Sequence, residues 1–330
     1  MNRVSIIGAG AWGTALALTA FRAGLSVNLW SRSLDKVETI NQRHENVYHL
    51  PGIILNPLIQ ATTDPSDTID ADLVILAPPA QCLRSICEIF RPIWPSSTPL
   101  VIASKGIEDH STLLMSEVVR EYFPHNPILI LSGPSFANDV AKNLPTALVL
   151  AAETLAVTQT ISSFLSSAHF RLYASDDIMG VQIGGACKNI IAIACGIVEG
   201  LALGDNARAA LVTRGLAEVS RLGCGMGAQL ETFLGLSGAG DMILTSLSSQ
   251  SRNHAFGLAL GRGAPLAELL SNKKTLVEGV YTVSGTVFLA KKNHIDMPLT
   301  FAIYDLLNGR ETLDHLISQL LARSLKIERT

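Results

Sequence analysis

Along the first half of the chain, short apolar runs alternate with segments of helical period. VSIIG (4–8), SVNLW (26–30), LVILA (73–77), PLVIA (99–103), ILILS (128–132) and ALVLA (147–151) are short and rich in leucine or β-branched residues. Each is followed by a turn or helix signal, so each reads as a buried strand. FRLYAS (170–175) reads as one more, with Asp176-Asp177 as a helix-start signal. Strands alternating with helices predict a parallel sheet covered on both faces. Beyond Asp176 the period becomes helical and strand signals nearly vanish, as in 177–204, 207–223 and 312–325. The expected architecture is α/β, with a doubly wound sheet over residues 1–178 and an all-helical domain over 179–330. No low-complexity linker parts them, which predicts a shared interface with a cleft.

Composition narrows the function classes. The 330 residues are 48% hydrophobic and 16% charged, enough for large cores and unlike a disordered chain. A net charge of -3 gives no basic bias and argues against nucleic acid as a partner. The five cysteines include no C-x-x-C pair, which argues against a disulfide framework or a zinc site and fits a reducing cytoplasm. MNRVSIIGAG runs straight into a strand, so no signal peptide is expected. The apolar stretches near 189–198 and 144–152 are too short to span a membrane, and no integral membrane segment is expected.

The chemistry begins at Gly8-x-Gly10-x-x-Gly13, placed after a strand and at the start of a helix. Gly8 permits the tight turn, Gly10 lets the backbone approach a pyrophosphate, and Gly13 allows close helix–strand packing. The helix N-terminus, from Ala11 onward, offers N–H groups to the diphosphate. The unit reads as a Rossmann-type dinucleotide site. Its second strand ends Leu29-Trp30-Ser31-Arg32-Ser33, with no carboxylate until Asp35. Arg32 suits a 2′-phosphate and Ser31 or Ser33 add hydrogen bonds, which favours NADP(H) over NAD(H). The bland alternative is a solvated Arg32 stacked on adenine. Trp12 either covers the ligands or packs between domains.

Two later strands end in polar residues, where open parallel sheets bind ligands. One runs into Ser104-Lys105-Gly106 and the other into Gly133-Pro134-Ser135-Phe136-Ala137. Lys105 would bring a cation to the crevice, and the SGPS turn could form an anion nest. In the helical half, Lys188 is the one charge in GGACKNIIAIACG, among Gly184, Gly185 and Ala192. An ammonium stranded there would cost several kcal/mol without compensation. It either snorkels to water or acts in proton transfer, with nearby cations lowering its pKa. Cys187 reads as a packed thiol. Asp241, in GLSGAGDMILT, could bind a substrate hydroxyl, orient a lysine or cap a helix. Ser251, Arg252 and Asn253 open a helix, as does Glu278. The first three suit phosphate and Glu278 suits a ribose or amide, with simple capping as the alternative for both.

GAGAWGTALA, SKGIE, SGPSFA, GACKNIIAIACGI, NARAALVTRGLAE, GLSGAGDMILT, QSRN and VEG together resemble, in order and spacing, the bacterial biosynthetic NAD(P)-dependent glycerol-3-phosphate dehydrogenases. The match covers nearly the whole chain. It is loose at APPAQ (77–81) and after Glu278. The resemblance implies reversible reduction of dihydroxyacetone phosphate to sn-glycerol 3-phosphate for glycerophospholipid synthesis, without a metal. It implies that Lys188 donates and accepts the proton, supported by Lys105 and Asp241. Lys105, Gly133, Ser135, Lys188, Asp241, Ser251, Arg252 and Asn253 would contact substrate. Trp12, Arg32, Lys105, Ala137, Arg252, Leu276 and Glu278 would line the NADP or NAD site beside the glycine loop. A homodimer is also implied. A dehydrogenase of hydroxy acids and a non-enzymatic NADP(H) sensor are the competing readings.

Overall fold

In the computed structural model, which describes residues 1–271, 276–322 and 324, all seven expected strands are present. Arg323 and Leu325, the tail of the expected helical stretch 312–325, lie outside the described residues. The strands are β1 (Arg3–Ile7), β2 (Ser26–Trp30), β3 (Gln60–Thr62), β4 (Leu73–Leu76), β5 (Leu100–Ile102), β6 (Ile128–Ser132), β7 (Thr146–Ala152) and β8 (Phe170–Ser175). They form one sheet in the order β3-β2-β1-β4-β5-β6-β7-β8. The order reverses between β1 and β4, the switch point where doubly wound sheets bind ligands. Register there is set by Ile7, opposite Trp30 on one side and Leu76 on the other.

The helices between the strands are α1 (Ala11–Arg22), α2 (Leu34–Arg43), α3 (Leu83–Phe90), α4 (Met115–Tyr122), α5 (Ala137–Ala141) and α6 (Leu155–Leu165). Val4, Ile6, Leu29, Leu73, Ile75 and Val101 pack in one core with Ala15, Leu16 and Val37. Ile7, Val74, Leu76, Leu100 and Ile102 are also buried, so both faces of the sheet are covered. That explains strands that are apolar at every position rather than at alternate ones.

Two features of the sheet depart from expectation. β3 was not foreseen, because QAT is three residues long, carries no apolar run and pairs only at the edge of the sheet. The sheet is also not wholly parallel, since β7 runs antiparallel to β6, with Leu131 opposite Leu150. A parallel return needs a full crossover. The link between β6 and β7 contains only the five-residue α5.

The chain divides into two compact units. The first holds Met1–Lys105 and Leu114–Gln182, the second Gly106–Leu113 and the residues from Ile183 onward. A single boundary at 178 does not capture the Gly106–Leu113 segment. It groups with the helices because Ile107 packs directly on Gly285, leaving no room there for a Cβ. The remaining helices are α7 (Ile178–Gly200), α8 (Asp205–Gly225), α9 (Leu230–Leu234), α10 (Asp241–Leu247), α11 (Arg252–Gly261), α12 (Leu266–Ser271), α13 (Glu278–Lys292), α14 (Pro298–Leu307) and α15 (Leu313–Leu321).

Contrary to the short apolar stretches read from sequence, α7 is long and apolar enough to cross a membrane by length and composition. Gln182, Lys188 and Asn189 break up its apolar pattern in the sequence. Its most apolar window is 94% buried within the protein, as in a core helix. Its small residues make that burial possible. A Cβ at Gly200 would lie 2.6 Å from the Leu258 carbonyl oxygen, and Gly196 sits tighter still against the His254 carbonyl. Gly257 and Gly261 return the contact against Ile193 and Ile197. The two helices therefore meet backbone to backbone.

Glu218 of α8 is buried and bonds the start of α14. Its carboxylate accepts from the N–H groups of Leu299 at 2.7 Å and Thr300 at 3.1 Å, and from the Thr300 hydroxyl at 3.0 Å. These amides are orphan donors of the first helical turn, so Glu218 is a cap supplied from another helix. Glu218→Ala should destabilise the protein by about 1–3 kcal/mol in denaturant unfolding, because buried donors lose their acceptor. Burial raises the Glu218 pKa above its ordinary 4.5. A raised folded-state value means that protonation stabilises the fold fully below the ordinary value, and that this is lost as pH rises through the folded value. Glu218→Gln does not titrate, so its stability relative to wild type should rise with pH across that window.

Candidate active site

In the glycine-rich loop each glycine is required for a different reason. Gly8 has φ +116°, and a Cβ would sit 2.9 Å from the Ala77 carbonyl oxygen at the end of β4. Gly13 presses directly on the Gly8 carbonyl, which leaves no space for a side chain. Gly10 has an ordinary φ of -79° and nothing within 4 Å of its would-be Cβ, so its face of the loop is open to a ligand. Gly10 is also the N-cap of α1 and offers no side-chain acceptor to the first-turn amides. An open loop backed by uncapped N–H groups from Ala11 onward fits a pyrophosphate. Trp12 is half-buried and packs against the core of the same unit.

At the end of β2, Arg32 is exposed. The Ser31 hydroxyl accepts from Ser33 N–H at 3.2 Å, and the Ser33 hydroxyl accepts from Lys36 N–H at 3.4 Å as N-cap of α2. Both hydroxyls keep a proton to donate. Lys36, absent from the sequence reading, joins Arg32 as a second cation. Burial, then repulsion from Arg32, lowers its pKa. Its position one turn into α2 was the available signal.

Lys105, Gly133 and Ser135 come together beyond β5 and β6. The Lys105 ammonium donates to the Gly133 carbonyl at 2.9 Å, and the Ser135 hydroxyl donates to the same oxygen at 3.0 Å. Gly133 has φ +135°, with Leu148 close enough that a Cβ would lie 2.9 Å from its side chain. The backbone here is therefore specific to glycine. Ala137 opens α5.

In the second unit, Lys188 is 7% exposed and does not snorkel. Its ammonium donates to Asp241 Oδ1 and, at 2.9 Å, to Thr245 Oγ1. Thr245 Oγ1 lies 3.2 Å from the same Asp241 oxygen, closing a three-residue cluster. Asp241 is 1% exposed and begins α10. A single π-turn over Leu236–Gly240 precedes it, with Gly240 N–H bonded to the Gly235 carbonyl. Gly184 lets α7 approach that turn, since a Cβ would lie 2.5 Å from the Ser237 carbonyl oxygen. Thr245 was missed in the sequence. Its spacing of four from Asp241 places both on one helical face.

The neighbours of Lys188 are inert. Burial pushes the Cys187 thiol up to about 12 and the Cys195 thiol to about 11. Asn189 joins a second cluster. Asn253 donates an N–H to Asn189 Oδ1 at 2.9 Å and accepts from Gly279 N–H at 2.9 Å, tying α7, α11 and α13 together. Ser251 caps α11, its hydroxyl accepting from His254 N–H at 3.2 Å. Arg252 is exposed in the first turn of α11. Leu276 leads into α13, and Glu278 is the first residue of that helix.

Comparison with known proteins places these features in one family. Residues 3–158 match the family model for the N-terminus of NAD-dependent glycerol-3-phosphate dehydrogenase, and residues 177–318 match the model for its C-terminus. Glycerol-3-phosphate dehydrogenase [NAD(P)+] of Rhodospirillum rubrum is 47% identical over 329 residues, covering 99% of this chain and 94% of that protein. The protein of the same name from Caulobacter vibrioides is 47% identical over 327 residues, covering 99% of each. The crystal structure of glycerol-3-phosphate dehydrogenase from Coxiella burnetii superposes with a TM-score of 0.92 at 37% identity, over 98% of this chain and 99% of that one. The chain therefore belongs to the NAD-dependent glycerol-3-phosphate dehydrogenase family.

Proposed function

We propose that the chain catalyses the reversible NAD(P)H-dependent reduction of dihydroxyacetone phosphate to sn-glycerol 3-phosphate, with Lys188 as the general acid and base. The buried Lys188–Asp241–Thr245 cluster carries this reading. It sets a cation in a desolvated place and fixes where its protons point.

When bound, the reduced nicotinamide supplies a hydride to the ketone carbon. The chain must then stabilise negative charge on the carbonyl oxygen and deliver a proton to it. A buried ammonium does both, and its field is stronger for the exclusion of water. Asp241 keeps the ammonium compatible with its burial, and Thr245 fixes its direction. In reverse, the neutral amine of Lys188 takes the hydroxyl proton.

The other roles follow from where each group is engaged. Arg252 and the first-turn amides of α11 suit the substrate phosphate. Ser251 retains its hydroxyl proton and Asn253 one N–H for the same anion. Lys105, with Gly133 and Ser135, adds positive potential and hydrogen-bonding groups for the substrate. Gly10, Ala11, Trp12 and Gly13 hold the pyrophosphate. Ala137, Leu276 and Glu278 complete the cofactor site. Arg32 and Lys36 favour the 2′-phosphate of NADP(H). The family resemblance supports a homodimeric cytoplasmic enzyme that supplies glycerophospholipid synthesis.

Following the nicotinamide absorbance with dihydroxyacetone phosphate and either NADPH or NADH tests the reaction directly. Oxidation of NADPH faster than NADH is expected, and oxidation of neither overturns the assignment. Lys188→Ala should lower turnover by roughly 10²–10⁴-fold. Full turnover in that variant would remove Lys188 from the mechanism. Arg32→Asp should weaken NADPH more than NADH, and equal weakening would count against the 2′-phosphate role.

A further inference from the structure

The glycine-rich loop is held from behind by a residue outside the fingerprint. After α2 the chain turns through His44, at φ 52°. The Leu55 N–H closes on the His44 carbonyl at 2.7 Å, and Glu45 Oε1 accepts from Gly52 N–H at 2.6 Å. This loop delivers Asn46, 1% exposed, to the back of the nucleotide loop. Asn46 Nδ2 donates to the Ala9 carbonyl at 3.1 Å and to Thr14 Oγ1 at 2.8 Å. The Thr14 hydroxyl donates to the Gly10 carbonyl at 2.9 Å.

The polarity of this chain of bonds is determined. The Thr14 proton is committed to Gly10, so its oxygen must face a donor. The Ala9 carbonyl can only accept. The amide nitrogen of Asn46, not its oxygen, therefore faces the loop. In a planar trans peptide the C=O and the following N–H point in opposite directions. Pinning the Ala9 carbonyl thus aims the Gly10 N–H outward, and the Gly10 carbonyl, held by both the Thr14 N–H at 3.0 Å and the Thr14 hydroxyl, aims the Ala11 N–H outward. Asn46 Oδ1, meanwhile, is buried with no hydrogen-bond partner among the described residues. A buried acceptor without a donor is destabilising, so packing alone does not explain an amide here.

We propose that Asn46, acting with Thr14, is a positioning residue for dinucleotide binding, orienting the Gly10 and Ala11 amides toward the pyrophosphate. The inference rests on the nucleotide-binding part of the function proposed above. The test is Asn46→Asp, which keeps the side-chain volume but sets an acceptor against the Ala9 carbonyl. NADPH affinity is measured by calorimetry without second substrate, together with that of adenosine 2′-monophosphate, which lacks the pyrophosphate. The NADPH dissociation constant should rise by about tenfold or more, and by at least as much as in Asn46→Ala, while that of the fragment changes by less than about twofold. A role limited to filling space predicts the reverse order, with Asp milder than Ala. Thr14→Val supplies a second variant should Asn46→Asp fail to fold, and it too should weaken NADPH selectively. NADPH binding within about twofold of wild type in the folded variants, or equal loss of fragment and dinucleotide, overturns the proposal. Wild-type protein that binds NADPH but does not oxidise it would sink the assigned reaction and leave the Asn46 role standing. Wild-type protein that does not bind NADPH overturns both.

Discussion

An ammonium out of water needs a carboxylate beside it, and the contact between Lys188 and Asp241 dictates how the helical unit is built. Removing one partner of such a pair typically costs about 3–5 kcal/mol, because the other charge is left buried alone. The two residues are 53 positions apart in the chain. Gly184 brings the Lys188 helix close to the turn before Asp241, and the glycine contacts with α11 anchor its far end. The abundance of small residues around the lysine follows from backbones packed closely together.

Positive potential takes two forms in the protein. Around the glycine-rich loop it comes mainly from main-chain amides, held by Asn46 and Thr14. Elsewhere it comes from side chains, among them Lys105 beyond β5 and Arg252 in the first turn of α11. Main-chain dipoles fixed before a ligand arrives need no reorganisation. A lysine side chain can also exchange a proton, which an amide cannot do at neutral pH.

Much of this was legible in the sequence wherever the signal is local. Strand runs, the spacing of Gly8, Gly10 and Gly13, and the lone lysine in an apolar helix are patterns within a few residues. Lys105, Gly133 and Ser135 were readable because strand ends are predictable places. β3 was hidden because an edge strand of three residues needs no apolar run. The antiparallel β7 was hidden because strand direction depends on the path of the connection, not on strand composition. Asn46 and Thr245 act through partners that sequence spacing either does not relate or relates only weakly. The same limit applies to Asn253, whose amide proved to join three helices. The helical period of α7 was legible over its full length, but its polar residues left only 189–198 to read as a continuous apolar run.

Cys187 and Cys195 lie on the same helix as Lys188, each buried and shifted far from ionisation. Oxidants and electrophiles react with thiolates, which neither residue forms near neutral pH. Of the five cysteines, Cys224 is the exposed one. Oxidation at cysteine would therefore begin at Cys224, with the half-buried Cys82 next, and the thiols on the helix that carries Lys188 would be among the last to be chemically scarred.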